Sequence, residues 1–269
     1  MAITLTAGMR SNLYALQNTT NMMETTQKRL ATGKKVNTAL DDPVNFFKSK
    51  DHYDRAEDLA AKKDGMNEAI KVIEAANTGI EGIYDLLDQM KSLASAAKTS
   101  TNTEDLANQF DSVRSQIAKM ARDSGYGGQN LLDGDSLSVE FNEDGTNTLS
   151  VSGTDAKSTV EGTIANVSVQ AANFSSNDDI EDSISDIDDA VTNLRTEAQK
   201  LASNLSTIQI RADFTTQMTN TLNTGADNLT LADMNEEGAN MLMLQTRQSL
   251  GTTSLSMSSQ AAQAVLQLF

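Results

Sequence analysis

Ten apolar residues constrain this chain more than anything else in it: Ile180, Ile184, Ile187, Val191, Leu194, Ala198, Leu201, Leu205, Ile208 and Ala212. Their spacing alternates fours and threes without a break. That spacing puts one apolar stripe along a helix at 3.5 residues per turn, and such a stripe needs partner helices to cover it. The partners are visible in the same chain. Leu59, Met66, Ile73, Ile80, Leu87 and Ala94 recur every seven residues, as do Met9, Leu16, Met23 and Leu30, with Leu13 between. A shorter run, Leu106, Phe110, Val113, Ile117 and Met120, follows the same rule. The chain has a single proline, Pro43, so nothing interrupts helices of great length.

Local chemistry sets the expected boundaries. Asp42 followed by Pro43 reads as an N-cap and first helical residue, opening a helix that runs to about Lys98. Thr103 with Glu104 and Asp105 restarts one, acids in its first turn. Gly33, Gly125 and Gly225 are read as helix stops, Asn177 with Asp178 and Asp179 as the cap of the long seam, and Asp233 with Glu236 as a capping box. Between 133 and 176 the period changes to two. Leu137, Val139 and Phe141 alternate, the run from Asn142 to Gly145 offers a turn, and Leu149 and Val151 alternate again, which is a hairpin signal. Ile164, Val167 and Val169 read as a further short strand. The expected fold is mainly α: a long-helix coiled-coil bundle with the N- and C-terminal helices paired and a small β-hairpin region in the middle.

Composition removes several classes of function. With 37 acidic and 21 basic residues the net charge is −16, which opposes nucleic-acid binding, since neutralising phosphates needs a basic face. Aromatic residues make up only 4%, thin for an enzyme core, and with no cysteine there is neither a disulfide framework nor a thiolate metal site. No run of 18 apolar residues suggests a membrane span, and the opening residues do not read as a cleaved signal peptide. The lone histidine, His52, has no second imidazole or metal motif beside it, and nucleotide-binding and nucleophile-elbow motifs are missing. Asp133, Asp135, Glu143 and Asp144 lack EF-hand spacing, and Asp178 to Asp189 read as a solvated helix start. No catalytic, cofactor or metal residues are expected.

The two ends differ from the rest. The first 23 residues carry one charge, Arg10, and the last 22 carry none. Left exposed, such segments are sticky, so they are expected to bury against each other and against neighbouring copies of the chain. The residues expected to pack in this way are Leu5, Met9, Leu13, Leu16, Met23 and Leu30 at one end. At the other they are Met241, Leu244, Leu255, Val265, Leu266 and Leu268.

These ends also carry a likeness. Residues 29–51, RLATGKKVNTALDDPVNFFKSKD, resemble the bacterial flagellin signature in which an RLSSG-type turn precedes N-S-A-x-D-D. Residues 231–269, from LADMNEEGAN to QAVLQLF, are similar to the flagellin C-terminus, and NLLDG at 130–134 resembles the exit from the second core helix of that family. The resemblance covers roughly residues 1–134 and 177–269.

The resemblance implies an extracellular structural subunit that polymerises with itself into the flagellar filament. A hook–filament junction protein of the same superfamily is the alternative. It also implies, as partners, a type III flagellar export apparatus, an export chaperone and a filament cap, with no membrane insertion. Residues 1–42 and 225–269 would form an inner core, 43–132 and 177–224 an outer helical domain, and 133–176 a small β-rich appendage without further outer domains. The outer seam would be Leu59, Met66, Ile73, Ile80 and Leu87 against Ile180, Ile184, Ile187, Val191, Leu194, Leu201, Leu205 and Ile208. One stretch departs from the family. Many flagellins sensed by a Toll-like receptor carry a Q-R-V-R-E-L-A-V-type patch, where this chain has Gln89, Lys91, Ser92 and Leu93, with Gln116 in place of an expected glutamate. Loss of the charge-assisted bonds implies weak receptor activation.

Overall fold

The computed structural model describes residues 7–156 and 169–267. Its elements are α1 (Ala7–Thr32), α2 (Pro43–Ala97), α3 (Thr103–Asp123), β1 (Ser136–Glu140), β2 (Thr148–Ser152), α4 (Asn177–Thr230) and α5 (Met234–Gln267). The fold is mainly α with one small antiparallel two-stranded sheet. The chain divides into two compact units, residues 1–54 with 221–269 and residues 55–220.

The larger unit holds one continuous apolar cluster. On α2 two rows are buried together: Met66, Ile73, Ile80, Leu87 and Ala94 form one, and Ala69, Ala76, Ile83, Met90 and Ala97 the other. Each row repeats every seven residues, so this stretch of α2 is covered along both seams. On α4 the rows are unequal. Ile180, Ile187, Leu194, Leu201 and Ile208 are at most 2% exposed, whereas Ile184, Val191, Ala198 and Leu205 are half-buried against the cluster. Leu59 is buried outside that cluster. Ion pairs fix the α2–α4 register: Lys98 meets Glu181 at 2.9 Å and Lys91 meets Asp188, so the two helices run antiparallel.

α3 folds back on α2 through a close approach at glycine. A Cβ on Gly79 would lie 2.0 Å from Ser124 Oγ and 2.8 Å from Leu132 Cδ1. The Asn130 side chain closes the end of α3, donating to the carbonyls of Ala121 (2.8 Å) and Arg122 (3.0 Å) and accepting from Leu132 N–H. Those carbonyls have no intrahelical donor, and the amide supplies one. In the β1–β2 hairpin Leu137 pairs with Val151 and Val139 with Leu149. Lys62–Glu140 (2.5 Å), Arg55–Glu143 (2.7 Å) and the Arg211 guanidinium over the Phe141 ring (5.3 Å) hold the hairpin to the helices.

Three expectations change. Gly225 does not end a helix. It lies inside α4, which continues to Thr230, because the Thr230 carbonyl is taken up by the amides of Lys35 (2.8 Å) and Val36 (3.2 Å). The cap of α4 is Ser176 and not Asn177. Ser176 Oγ accepts from Asp179 N–H at 3.2 Å and donates to the Asp179 carboxylate at 2.7 Å, which puts the cap one residue earlier. Val169 is buried but belongs to no strand, while Ile164 and Val167 lie outside the described residues.

Candidate assembly interface

The smaller unit is organised around α1 and α5. Asn12 Nδ2 donates to Ser254 Oγ (3.1 Å), Leu16 packs where a Cβ on Gly251 would be 2.7 Å away, and Arg29 meets Glu237 at 2.8 Å. As the numbers rise on α1 they fall on α5, so the pair is antiparallel. Each helix is opened by a side-chain cap or closed by a turn. The Asp233 carboxylate accepts from the amides of Asn235 and Glu236 at the start of α5, and α1 stops at Gly33, whose φ of +70° only glycine adopts freely. From there Ala232 N–H donates to the Gly33 carbonyl (2.9 Å), tying the exit of α1 to the entry of α5. Asp42 caps α2 by accepting from Asn45 N–H (3.1 Å), and Tyr53 O–H donates to Asp227 at 2.5 Å, which holds the Tyr53 phenol above its ordinary value.

The turn between α1 and α2 is built on Asp41. Its carboxylate accepts from the amides of Asn37 (3.0 Å) and Thr38 (2.9 Å), and these bonds, the Asn37 one foremost, hold it below the ordinary carboxylate value. A depressed carboxylate stabilises the fold above its unfolded pKa, and that contribution disappears as pH falls through the folded value. Protection of the Asn37 and Thr38 amides, taken as their exchange rate relative to the intrinsic rate at the same pH, is therefore expected at neutral pH and should be lost as the solution is acidified below the usual carboxylate range. In Asp41→Ala it should be absent at every pH.

The helix pair hides little of its own apolar surface. Of the residues singled out at the two ends, Met9 and Leu244 are buried, Leu16, Met23, Leu30, Met241 and Leu255 are half-buried, and Leu13 is 40% exposed. Leu5 and Leu268 lie outside the described residues, as do the side chains of Val265 and Leu266. Twelve of the sixteen large exposed apolar side chains among the described residues belong to this unit. They are Leu13, Tyr14 and Met22 on α1, Leu40 before α2, Val44 and Phe47 at its start, Leu231 before α5, and Met234, Leu242, Met243, Leu250 and Met257 on α5. Heptad spacing missed most of them because they sit off the seam. Their signal in the sequence is an apolar residue on a polar face that carries almost no charge.

The remaining candidates have local roles. Glu143 is committed to Arg55 and Asp135 accepts from Asn130 N–H. Among the described residues no three His, Cys, Asp or Glu side chains are grouped to hold a metal, and no helix is long and apolar enough to cross a membrane. In the altered patch Gln89, Ser92 and Gln116 are exposed, Lys91 reaches Asp188 and Leu93 packs on the cluster.

The family described as the bacterial flagellin N-terminal helical region matches residues 5–137. Flagellin FljK of Caulobacter vibrioides is 32% identical over 100% of this chain and 98% of its own length, and a flagellin of Brucella melitensis is 26% identical over 96% and 95%. A crystal structure of Bacillus cereus flagellin overlays 56% of this chain and 88% of that one, with 18% identity and a TM-score of 0.47. Matched from end to end by a relative at this level of identity, the chain belongs to the bacterial flagellin family.

Proposed function

We propose that this flagellin, a structural subunit of the bacterial flagellar filament, polymerises through the α1–α5 pair, with its apolar faces covered by the same helices of neighbouring subunits. The observation that carries this reading is the concentration of exposed Leu, Met, Tyr, Val and Phe on the smaller unit, in helices with few charges. Exposed apolar surface of that kind marks an interaction site, and it must outweigh the repulsion between copies that each carry a net charge of −16. On this reading the inner core of the filament comes from residues 1–42 and 225–269. Residues 43–132 and 177–224 form the layer around it, and 133–176 is an appendage of that layer. The subunit does no chemistry, and its polymer lies outside the cell. Export by a type III flagellar apparatus, a chaperone on the C-terminal segment and a cap at the growing end belong to the same reading. No observation favours a hook–filament junction role over it.

Deleting residues 248–269 removes Leu250, Met257 and the Gly251 contact with Leu16. Seeded with wild-type filament fragments, the truncated chain is expected to remain in the supernatant on sedimentation. Its circular dichroism should retain the helices of residues 55–220. Normal filaments from this truncation would refute the reading.

A further inference from the structure

A groove of about 410 Å3 runs along the α1–α5 pair. Asn18, Asn21, Thr25 and Asn240 line it with amide and hydroxyl groups, and Met22 and Met243 are its exposed apolar members. Its only carboxylate, Glu237, meets Arg29 through Oε1 at 2.8 Å, while its buried Oε2 has no hydrogen-bond partner among the described residues. The second guanidinium, Arg247, is exposed and has no hydrogen-bond or ion-pair partner among the described residues. It is also the only charged residue from 238 to 269. The Thr25 hydroxyl donates to the Asn21 carbonyl, so what the groove offers an incoming group is the unpaired Arg247 guanidinium beside the Asn side-chain amides, which suits a carboxylate.

The chain supplies a carboxylate of matching isolation. Glu24 is the only acid in the first 40 residues, is exposed, and has no partner among the described residues. It cannot serve the groove of its own chain. Asn18, Met22, Thr25 and Arg29 form the groove-lining stripe of α1, and at 3.6 residues per turn Glu24 lies roughly 120° around the helix from it. The pair thus presents an isolated base on one flank and, on another, an unpaired acid one turn from Lys28. An open helical polymer is built from such unlike, complementary surfaces, since self-complementary ones close into dimers. Once apolar faces close over them, each charge left alone would oppose assembly.

We infer that Arg247 in this groove receives the Glu24 carboxylate of a second copy of the chain, giving one ion pair per subunit contact. This rests on the reading that α1 and α5 form the polymer contact. The test uses the full chain, with wild-type seeds for the wild type and seeds of the same variant for each variant. Glu24→Arg and Arg247→Glu alone are each expected to slow elongation by about tenfold or more, the scale of a misplaced interfacial charge. The double variant, with the charges exchanged, is expected to recover to within about threefold of wild type. Single variants that elongate at the wild-type rate, or a double variant no better than either single, would overturn the pairing. A second measurement does not depend on rates. The chain has no cysteine, so filaments of Glu24→Cys/Arg247→Cys treated with a thiol-reactive bifunctional reagent, long enough to replace the two long side chains, should yield covalent ladders of chains, a direct disulfide needing Cα atoms within about 7 Å. Uncrosslinked or internally closed monomers would overturn it. If the charge variants all elongate normally while the chain lacking 248–269 stays unpolymerised, only the pair is wrong. If that truncation also polymerises, the reading beneath it fails.

Discussion

Leu194→Asp is expected to unfold the helical core of residues 55–220, with a loss of about 4–5 kcal/mol or more. Leu194 is 1% exposed and occupies the middle of the fully buried row of α4, between Ile187 and Leu201. The substitution removes an apolar side chain from a packed site and puts an unpaired carboxylate there. Either effect alone costs several kcal/mol. Against a total stability of about 5–15 kcal/mol the sum is decisive. Thermal melts followed by circular dichroism at neutral pH should show the main transition lowered by tens of degrees or already lost. The same change at Ile184, in the half-buried row, should do clearly less damage. Equal effects at the two positions would mean that the rows are not the unequal pair described.

Gly153→Ala is the second large effect, and its cause is steric. A Cβ there would lie 2.0 Å from the Asp135 carbonyl oxygen and 2.6 Å from that of Leu131. Both are backbone atoms, and the Leu131 carbonyl is in use, accepting from Thr154 N–H at 2.6 Å beside the bond from Ala156 N–H to the Leu132 carbonyl at 2.8 Å. No side-chain rotation relieves the clash, so residues 131–135 or the end of β2 must move. Overpacking of a site that can adjust costs about 1–3 kcal/mol, and one bounded by backbone should reach or exceed that range. Chemical denaturation should register the loss, and amide exchange at Thr154 and Ala156 should show it locally. Gly127→Ala, in open space, should cost much less despite its φ of +60°.

The helices were largely legible because their signals are periodic and local. α2 begins at the Asp42–Pro43 cap and ends within a residue of the expected position, and α3 opens at Thr103. The hairpin was readable from Leu137, Val139 and Val151. Half of the α2 surface was not. Its second buried row is Ala69, Ala76, Ile83, Met90 and Ala97, and three alanines in five carry too little apolar weight to stand out. That row matters because small side chains allow close packing, as the neighbouring Gly79 allows at Ser124 and Leu132. Gly225 misled because a glycine after a periodic stretch resembles a stop, whereas the carbonyl acceptor that extends α4 to Thr230 is satisfied from residues 35 and 36. At the assembly interface the apolar stripe was visible. Its exposure was not, because burial depends on how many helices share the unit.

The thin contact between α1 and α5 has a kinetic consequence. Two helices touching along one stripe, with Met9 and Leu244 their only fully buried seam residues among those described, gain little from each other. Most of the entropy lost in ordering them must be recovered from a third and fourth helix. Two free subunits meeting in solution can offer each other only part of that cover, whereas a growing end offers it at once. Starting a polymer is then much slower than extending one, so growth keeps to ends that already exist and free subunits can persist beside them.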